Sequence, residues 1–125
     1  MSYYKAVRAL VEQFSGAVRG MAHITGGGMR DNLIRIMLVD DLRAKIDLSL
    51  IRALPIFGLI KKYANATEAD MLRTFNNGVG MIAVTDGAAA GDIIKTLGDL
   101  GYTAYQIGGV ERGPRAVEFI NEIGW

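Results

Sequence analysis

The chain has 125 residues, 50% of them hydrophobic and 22% charged, and its 14 basic residues stand against 13 acidic ones for a formal net charge of +1. That balance fits one folded domain over residues 1–125 and excludes a disordered polyelectrolyte or a broad basic surface for nucleic acid. There is no cysteine, so disulfides and thiolate chemistry are out; no apolar run reaches the ~18 residues of a bilayer span, residues 1–14 lack the unbroken core of a secretory signal, and the expectation is a cytoplasmic protein without membrane contact.

Val7, Leu10, Val11 and Phe14 recur at helical spacing, which predicts a helix over residues 3–13 ended by Ser15-Gly16. Val18, Gly20, Ala22 and Ile24 then alternate with Arg19, Met21, His23 and Thr25, a strand that delivers His23 and Thr25 to Gly26-Gly27-Gly28. Residues without Cβ reach positive φ and admit a ligand close to the main chain. Asp31 reads as the N-cap of a short helix with Leu33, Ile36 and Met37 on one face. A strand, a glycine turn and a helix start offer free N–H groups to a phosphate; a tight turn without a ligand accounts for the same residues equally well.

Residues 42–48 alternate, with Ala44, Ile46 and Leu48 facing one side and Lys45 and Asp47 the other, as in a half-exposed strand. Pro55 suits a first helical turn, and Ile56, Leu59, Ile60 and Tyr63 follow on one stripe. Thr67 with Asp70 forms a weaker capping box before a second short helix whose buried residues are Met71, Leu72 and Phe75. Residues 79–84 are almost continuously apolar, which predicts a strand covered on both faces at the centre of the sheet. Ile93, Ile94, Leu97 and Leu100 set the inner face of a helix over residues 88–100 that Gly101 stops. A strand over 102–110, a turn at Gly108, Gly109, Gly113 and Pro114, and a last strand over 115–120 with Val117 and Phe119 inward complete the chain. The sum is an α+β (mixed α/β) domain, a mixed sheet of about four or five strands with helices packed on it.

Two of the glycine stretches are far more specific together than either is alone. His23-Ile24-Thr25-Gly26-Gly27-Gly28 with Asp31-Asn32-Leu33, and then Met71-Leu72-Arg73-Thr74-Phe75-Asn76-Asn77-Gly78-Val79-Gly80-Met81, closely resemble the C-terminal domain of aminoimidazole ribonucleotide synthetase, also called phosphoribosylformylglycinamidine cyclo-ligase. Gln106-Ile107-Gly108 also fits, and the resemblance runs over essentially the whole chain. That family commonly carries proline where this chain has Ile34 and Leu38, and tyrosine where it has Leu72.

The resemblance implies a step of de novo purine biosynthesis. ATP activates the amide oxygen of formylglycinamidine ribonucleotide as a phosphate ester, and an internal amine closes the ring to aminoimidazole ribonucleotide with loss of phosphate. It further implies a magnesium-dependent homo-oligomer, with ATP and metal held by an N-terminal domain absent from this chain. The chain itself would then be a ribonucleotide-binding half that is inactive alone and holds no cofactor tightly. A stand-alone phosphate-binding or interaction module of the same fold, without catalysis, is the alternative.

Such chemistry asks for anion holders more than covalent help. The resemblance therefore points to Thr25, Gly26, Gly27 and Gly28 as substrate or phosphate binders, to His23 as a donor or proton carrier in ring closure, and to Arg73, Asn76 and Gly78 as further substrate contacts. Each has a structural account beside it: a strand histidine satisfied by hydrogen bonds, an exposed helix-end arginine, and plain turn geometry. Arg30 and Arg35 read as solvated charges, Asp40-Asp41 as a hydrated pair rather than a metal site, and Met29, Met37, Met71 and Met81 as core filler. No Walker loop or dinucleotide fingerprint follows the glycines. The two stretches are expected to converge at one rim of a sheet.

Overall fold

The structure, a computed structural model, describes residues 2–37 and 40–125; Leu38, one of the positions where the chain departs from the resembled family, lies outside them. Among the described residues the order is α1 (Tyr4–Gln13), β1 (Val18–His23), α2 (Gly28–Ile34), β2 (Leu42–Asp47), α3 (Pro55–Tyr63), α4 (Glu68–Thr74), β3 (Met81–Thr85), α5 (Ala90–Asp99), β4 (Gly108–Arg112) and β5 (Ala116–Ile120). Single 3-10 turns occupy Leu48–Leu50 and Gly87–Ala89.

The α+β class holds, with the strands divided between two sheets. β1 pairs with β3, while β4-β2-β5 form a mixed sheet, antiparallel between β2 and β4 and parallel between β2 and β5. The apolar run 79–84 is therefore not a central strand. Its first residues belong to a turn closed by Val79 N–H donating to the Asn76 carbonyl at 3.0 Å, and within β3 only Ile82 is buried. A run of apolar residues reports burial, which a turn packed on a helix satisfies as well as a strand does.

The chain packs as two compact units, residues 1–21 with 83–106 and residues 22–82 with 107–125. In the first, α1 buries Ala6, Ala9 and Leu10, and α5 buries Ile93. α5 ends as predicted at Gly101, whose φ of +93° only glycine adopts freely. Gly101 N–H donates to the Gly98 carbonyl and Tyr102 N–H to the Leu97 carbonyl, both at 3.0 Å, which closes a Schellman motif. The Tyr102 ring stacks on Tyr3 with centroids 6.2 Å apart.

In the second unit β2 is the central strand, and its predicted alternation is observed: Ala44, Ile46 and then Leu48 are buried. Gly108 and Gly109 belong to β4 rather than to a turn, opposite Ile46 and Lys45. A Cβ on Gly108 would run into the Lys45 carbonyl, so the close approach of the two backbones needs glycine there. The turn lies one strand later, where Gly113 N–H and Arg115 N–H donate to the carbonyls of Asp41 and Asp40.

α4 opens with the capping box read from its sequence. Asp70 N–H donates to Thr67 Oγ1 at 3.1 Å and Thr67 N–H to Asp70 Oδ2 at 3.2 Å. Hydrogen bonding to the Asp70 carboxyl from the Thr67 backbone N–H and then from the Thr67 side chain, followed by the Arg73 partner, holds that carboxyl below the usual carboxylate range. α3 starts at Pro55 as expected, but its apolar stripe faces outward: Ile56, Leu59 and Tyr63 are exposed and no residue of the helix is fully buried. Its contacts are made by Phe57, whose ring lies 5.7 Å from that of Phe75, and by Gly58, which packs against Trp125. No helix among the described residues is long and apolar enough to cross a membrane.

Candidate functional site

The first glycine stretch is a turn closed by Gly28 N–H donating to the Thr25 carbonyl at 3.1 Å. Gly27 has φ +94° and ψ −10°, the values a type II turn requires at its third residue. Gly27 is also the N-cap of α2, so the helix begins three residues before the expected Asp31 cap, and Asp31 lies inside its first turn. Asp31 competed as a cap on residue type alone, whereas the left-handed glycine ends the turn earlier.

The three glycines do different work. Gly28 is buried with φ +70°, and a Cβ there would run into the Leu72 carbonyl of α4. Its bareness lets α2 and α4 approach. A Cβ on Gly27 would meet the Asp31 carboxylate, with Oδ2 at 2.6 Å. Gly26 is exposed and a Cβ there would meet nothing within 4 Å. The open side of the turn is thus the Gly26 side, flanked by exposed His23 and Thr25.

Beneath the turn sits Asn32, only 6% exposed. Its Nδ2 donates to the carbonyls of Thr25 and Gly26, both at 3.3 Å, and of Gly28 at 2.7 Å. Its Oδ1 accepts from Thr25 Oγ1 at 3.3 Å and Arg35 Nη1 at 3.2 Å. Arg35 is therefore tied to the loop rather than merely solvated, while Arg30 lies over the Phe119 ring, 4.9 Å from its centroid. Beyond the far end of α2, Arg115 donates from Nε to the Met37 carbonyl and from Nη2 to that of Ile34, the last residue of the helix, whose carbonyl also accepts from Met37 N–H. Neither Asn32 nor Arg115 carried a role in the sequence reading. An asparagine a few residues past a glycine run was the available signal for the first, whereas the second pairs residues 78 and 81 positions apart and left none.

The second stretch lies against the first. Ile24 N–H donates to the Gly80 carbonyl at 2.9 Å, and Gly28 packs on the last turn of α4 near the Phe75 carbonyl. The expected convergence of the two glycine elements is present, and much of the second is committed internally. Asn76 Oδ1 accepts from Gly78 N–H at 2.9 Å, and Gly78, at φ +100°, faces Arg52 and Leu54. Asn77 is fully buried at φ +56°, its Nδ2 donating to the carbonyls of Met71 and Phe75, and its Oδ1 finds no partner among the described residues. Arg73 is exposed and pairs with Asp70 at 2.7 Å, one turn away on the same helix. Of the four methionines assigned to the core, Met29, Met37 and Met71 are buried and Met81 is half-buried.

A trans peptide sets C=O of one residue antiparallel to N–H of the next. With the Thr25 and Gly26 carbonyls turned onto Asn32, the N–H groups of Gly26 and Gly27 face the other way. Among the described residues no three His, Asp or Glu side chains gather as metal ligands.

The chain matches, over residues 1–121, the family model described as AIR synthase related protein, C-terminal domain. It is similar to the phosphoribosylformylglycinamidine cyclo-ligase of Carboxydothermus hydrogenoformans, with 42% identity over 96% of the chain and 34% of the relative. It is 37% identical to the Brevibacillus brevis enzyme of that name, over 98% of the chain and 34% of the relative. With the Aromatoleum aromaticum enzyme it shares 38% identity over 87% of the chain and 31% of the relative. The chain thus spans about a third of the length of the curated relatives it matches.

Proposed function

Because this chain belongs to the family of AIR synthase related C-terminal domains, we propose that it is the ribonucleotide-binding part of a phosphoribosylformylglycinamidine cyclo-ligase of purine biosynthesis. The observation that carries the reading is the open turn at Gly26, with two amides directed away from buried Asn32 and with His23 and Thr25 exposed beside it. In the proposed reaction formylglycinamidine ribonucleotide and ATP give aminoimidazole ribonucleotide, ADP and phosphate. The amides of Gly26 and Gly27 hold a phosphate group, and the Thr25 hydroxyl joins them by exchanging its Asn32 partner for the ligand. His23, at the exposed end of β1, donates to the substrate or carries the proton released on ring closure. Arg73 joins as a phosphate contact by exchanging its Asp70 partner for the ligand.

ATP supplies the phosphoryl group that turns the amide oxygen into a leaving group. The described residues gather no acidic set for magnesium, so the proposal assigns ATP and the metal to the part of the relatives that this chain does not cover. It also keeps the expectation of a homo-oligomer, for which exposed Leu54, Ile56, Leu59 and Tyr63 offer an apolar surface. Sedimentation over a range of concentrations checks it, and a strict monomer counts against it.

The functional test mixes this chain with the separately produced N-terminal portion of a relative and follows ATP-dependent ring closure. Gly26→Val is the informative variant, since that position is open, whereas Gly27→Val meets Asp31 at positive φ and tests the fold instead. Recovered turnover that falls at least about tenfold in Gly26→Val, with the unfolding midpoint unchanged, supports the proposal. Ribonucleotide binding with no turnover in any pairing favours the non-catalytic binding module.

A further inference from the structure

We infer that Asn32 is the positioning residue of the glycine loop: its buried carboxamide decides which way the peptide group between Gly26 and Gly27 faces, and so whether the Gly27 N–H is offered beside that of Gly26 to the phosphate monoester of a ribonucleotide. The inference rests on the ribonucleotide-binding reading above and names what sets that site.

The orientation of the amide is fixed by its surroundings. Nδ2 sits among the carbonyl oxygens of Thr25, Gly26 and Gly28, and Oδ1 between the Thr25 hydroxyl and the Arg35 guanidinium. Turned over, the same group would set an acceptor against the carbonyls and donors against a guanidinium. The turn, by contrast, has little preference of its own. Neither Gly26 nor Gly27 carries a Cβ, and the peptide between them can rotate at small steric cost, exchanging one turn type for another. What selects the observed state is the bond from Nδ2 to the Gly26 carbonyl at 3.3 Å, seconded by the one to Thr25. The stronger bond at 2.7 Å to the Gly28 carbonyl anchors Asn32 to the start of α2, so the donor stays in place when the turn moves. Asp31 stands beside Gly27 and closes that flank, which leaves approach to the amides from the side of Gly26.

Asn32→Asp tests this, since it keeps the shape and replaces the donor by a second acceptor. A carboxylate facing carbonyls repels them and recruits N–H groups instead, so the Gly26–Gly27 peptide turns its N–H inward while the Thr25 carbonyl stays on Gly28 N–H. The probe is ribose 5-phosphate, titrated into the 15N-labelled chain. In the parent, the Gly26 and Gly27 amide resonances should move on titration. In Asn32→Asp the affinity should fall at least tenfold, the Gly27 resonance should stop responding, and residual dipolar couplings should report a reoriented Gly27 N–H vector.

The inference is overturned if Asn32→Asp binds within twofold of the parent or keeps the Gly27 vector. Should that variant fail to fold, the parent decides: slow solvent exchange of the Asn32 carboxamide protons with outward Gly26 and Gly27 vectors upholds the inference, and exchange as fast as in an exposed asparagine overturns it. A parent that binds no ribose 5-phosphate while the Gly27 vector still reorients in the variant upholds the role of Asn32 and overturns the ribonucleotide reading.

Discussion

Replacing Gly28 by alanine puts the division of labour within the glycine run to a direct test. Gly28 has φ +70° and is buried, and a Cβ on it runs into the Leu72 carbonyl. A side-chain-bearing residue in left-handed backbone costs about 1–3 kcal/mol, and overpacking a tight contact costs about 1–3 kcal/mol more. Because the obstacle is backbone and cannot swing aside, the two add to a loss of about 2–6 kcal/mol. With a urea slope of roughly 1.5 kcal/mol/M for a domain of this size, a loss of about 3 kcal/mol lowers the unfolding midpoint by about 2 M. The assay is urea unfolding followed by far-ultraviolet circular dichroism, run beside Gly26→Ala. At Gly26 nothing lies within 4 Å of the added carbon, and the change in stability should stay under about 0.5 kcal/mol. A Gly28→Ala protein within about 0.5 kcal/mol of its parent would refute the argument that this glycine is there for helix packing.

Other expectations follow from the same contacts. Asn77→Ala should lose about 2–4 kcal/mol by removing the Nδ2 bonds to the carbonyls of Met71 and Phe75 and forcing alanine to φ +56°, and Asn77→Gly should recover about 1 kcal/mol of it; thermal melts of the three proteins check both. Thr67→Ala removes the side-chain half of the capping box and should cost about 1 kcal/mol in urea unfolding. The Asp70 carboxyl, and that of Asp47 through the Ser49 and Asn121 bonds, lie below their unfolded values. Their contribution is therefore present above the ordinary aspartate pKa and fades as pH falls through the lower folded values. Both groups are exposed, so the acid-side decline should be shallow, and shallower still in Thr67→Ala; melting temperatures from pH 6 to about pH 2 measure it. Gly101→Ala, strained at φ +93° but free of any clash, should cost about 1 kcal/mol by the same unfolding assay.

What could be read from the sequence alone is what neighbours along the chain decide. The Thr67/Asp70 box, Pro55 at a helix start and Gly101 at a helix end are all present, because each is settled within a few residues by hydrogen bonds and φ preferences that need no partner element. The pairing of two glycine stretches likewise identified the family. Tertiary structure decided the rest. A glycine code letter does not say whether bareness serves a ligand, a left-handed turn or a neighbouring carbonyl: Gly26 is open, Gly27 turns the chain, Gly28 admits Leu72 and Gly108 admits Lys45. The outward stripe of α3, the Asn32 carboxamide under the loop and the Arg115 clamp on α2 are likewise set by packing between segments far apart in the sequence. Periodicity marks which residues share a face, but only the packed neighbours determine where that face points and which polar groups must be met there.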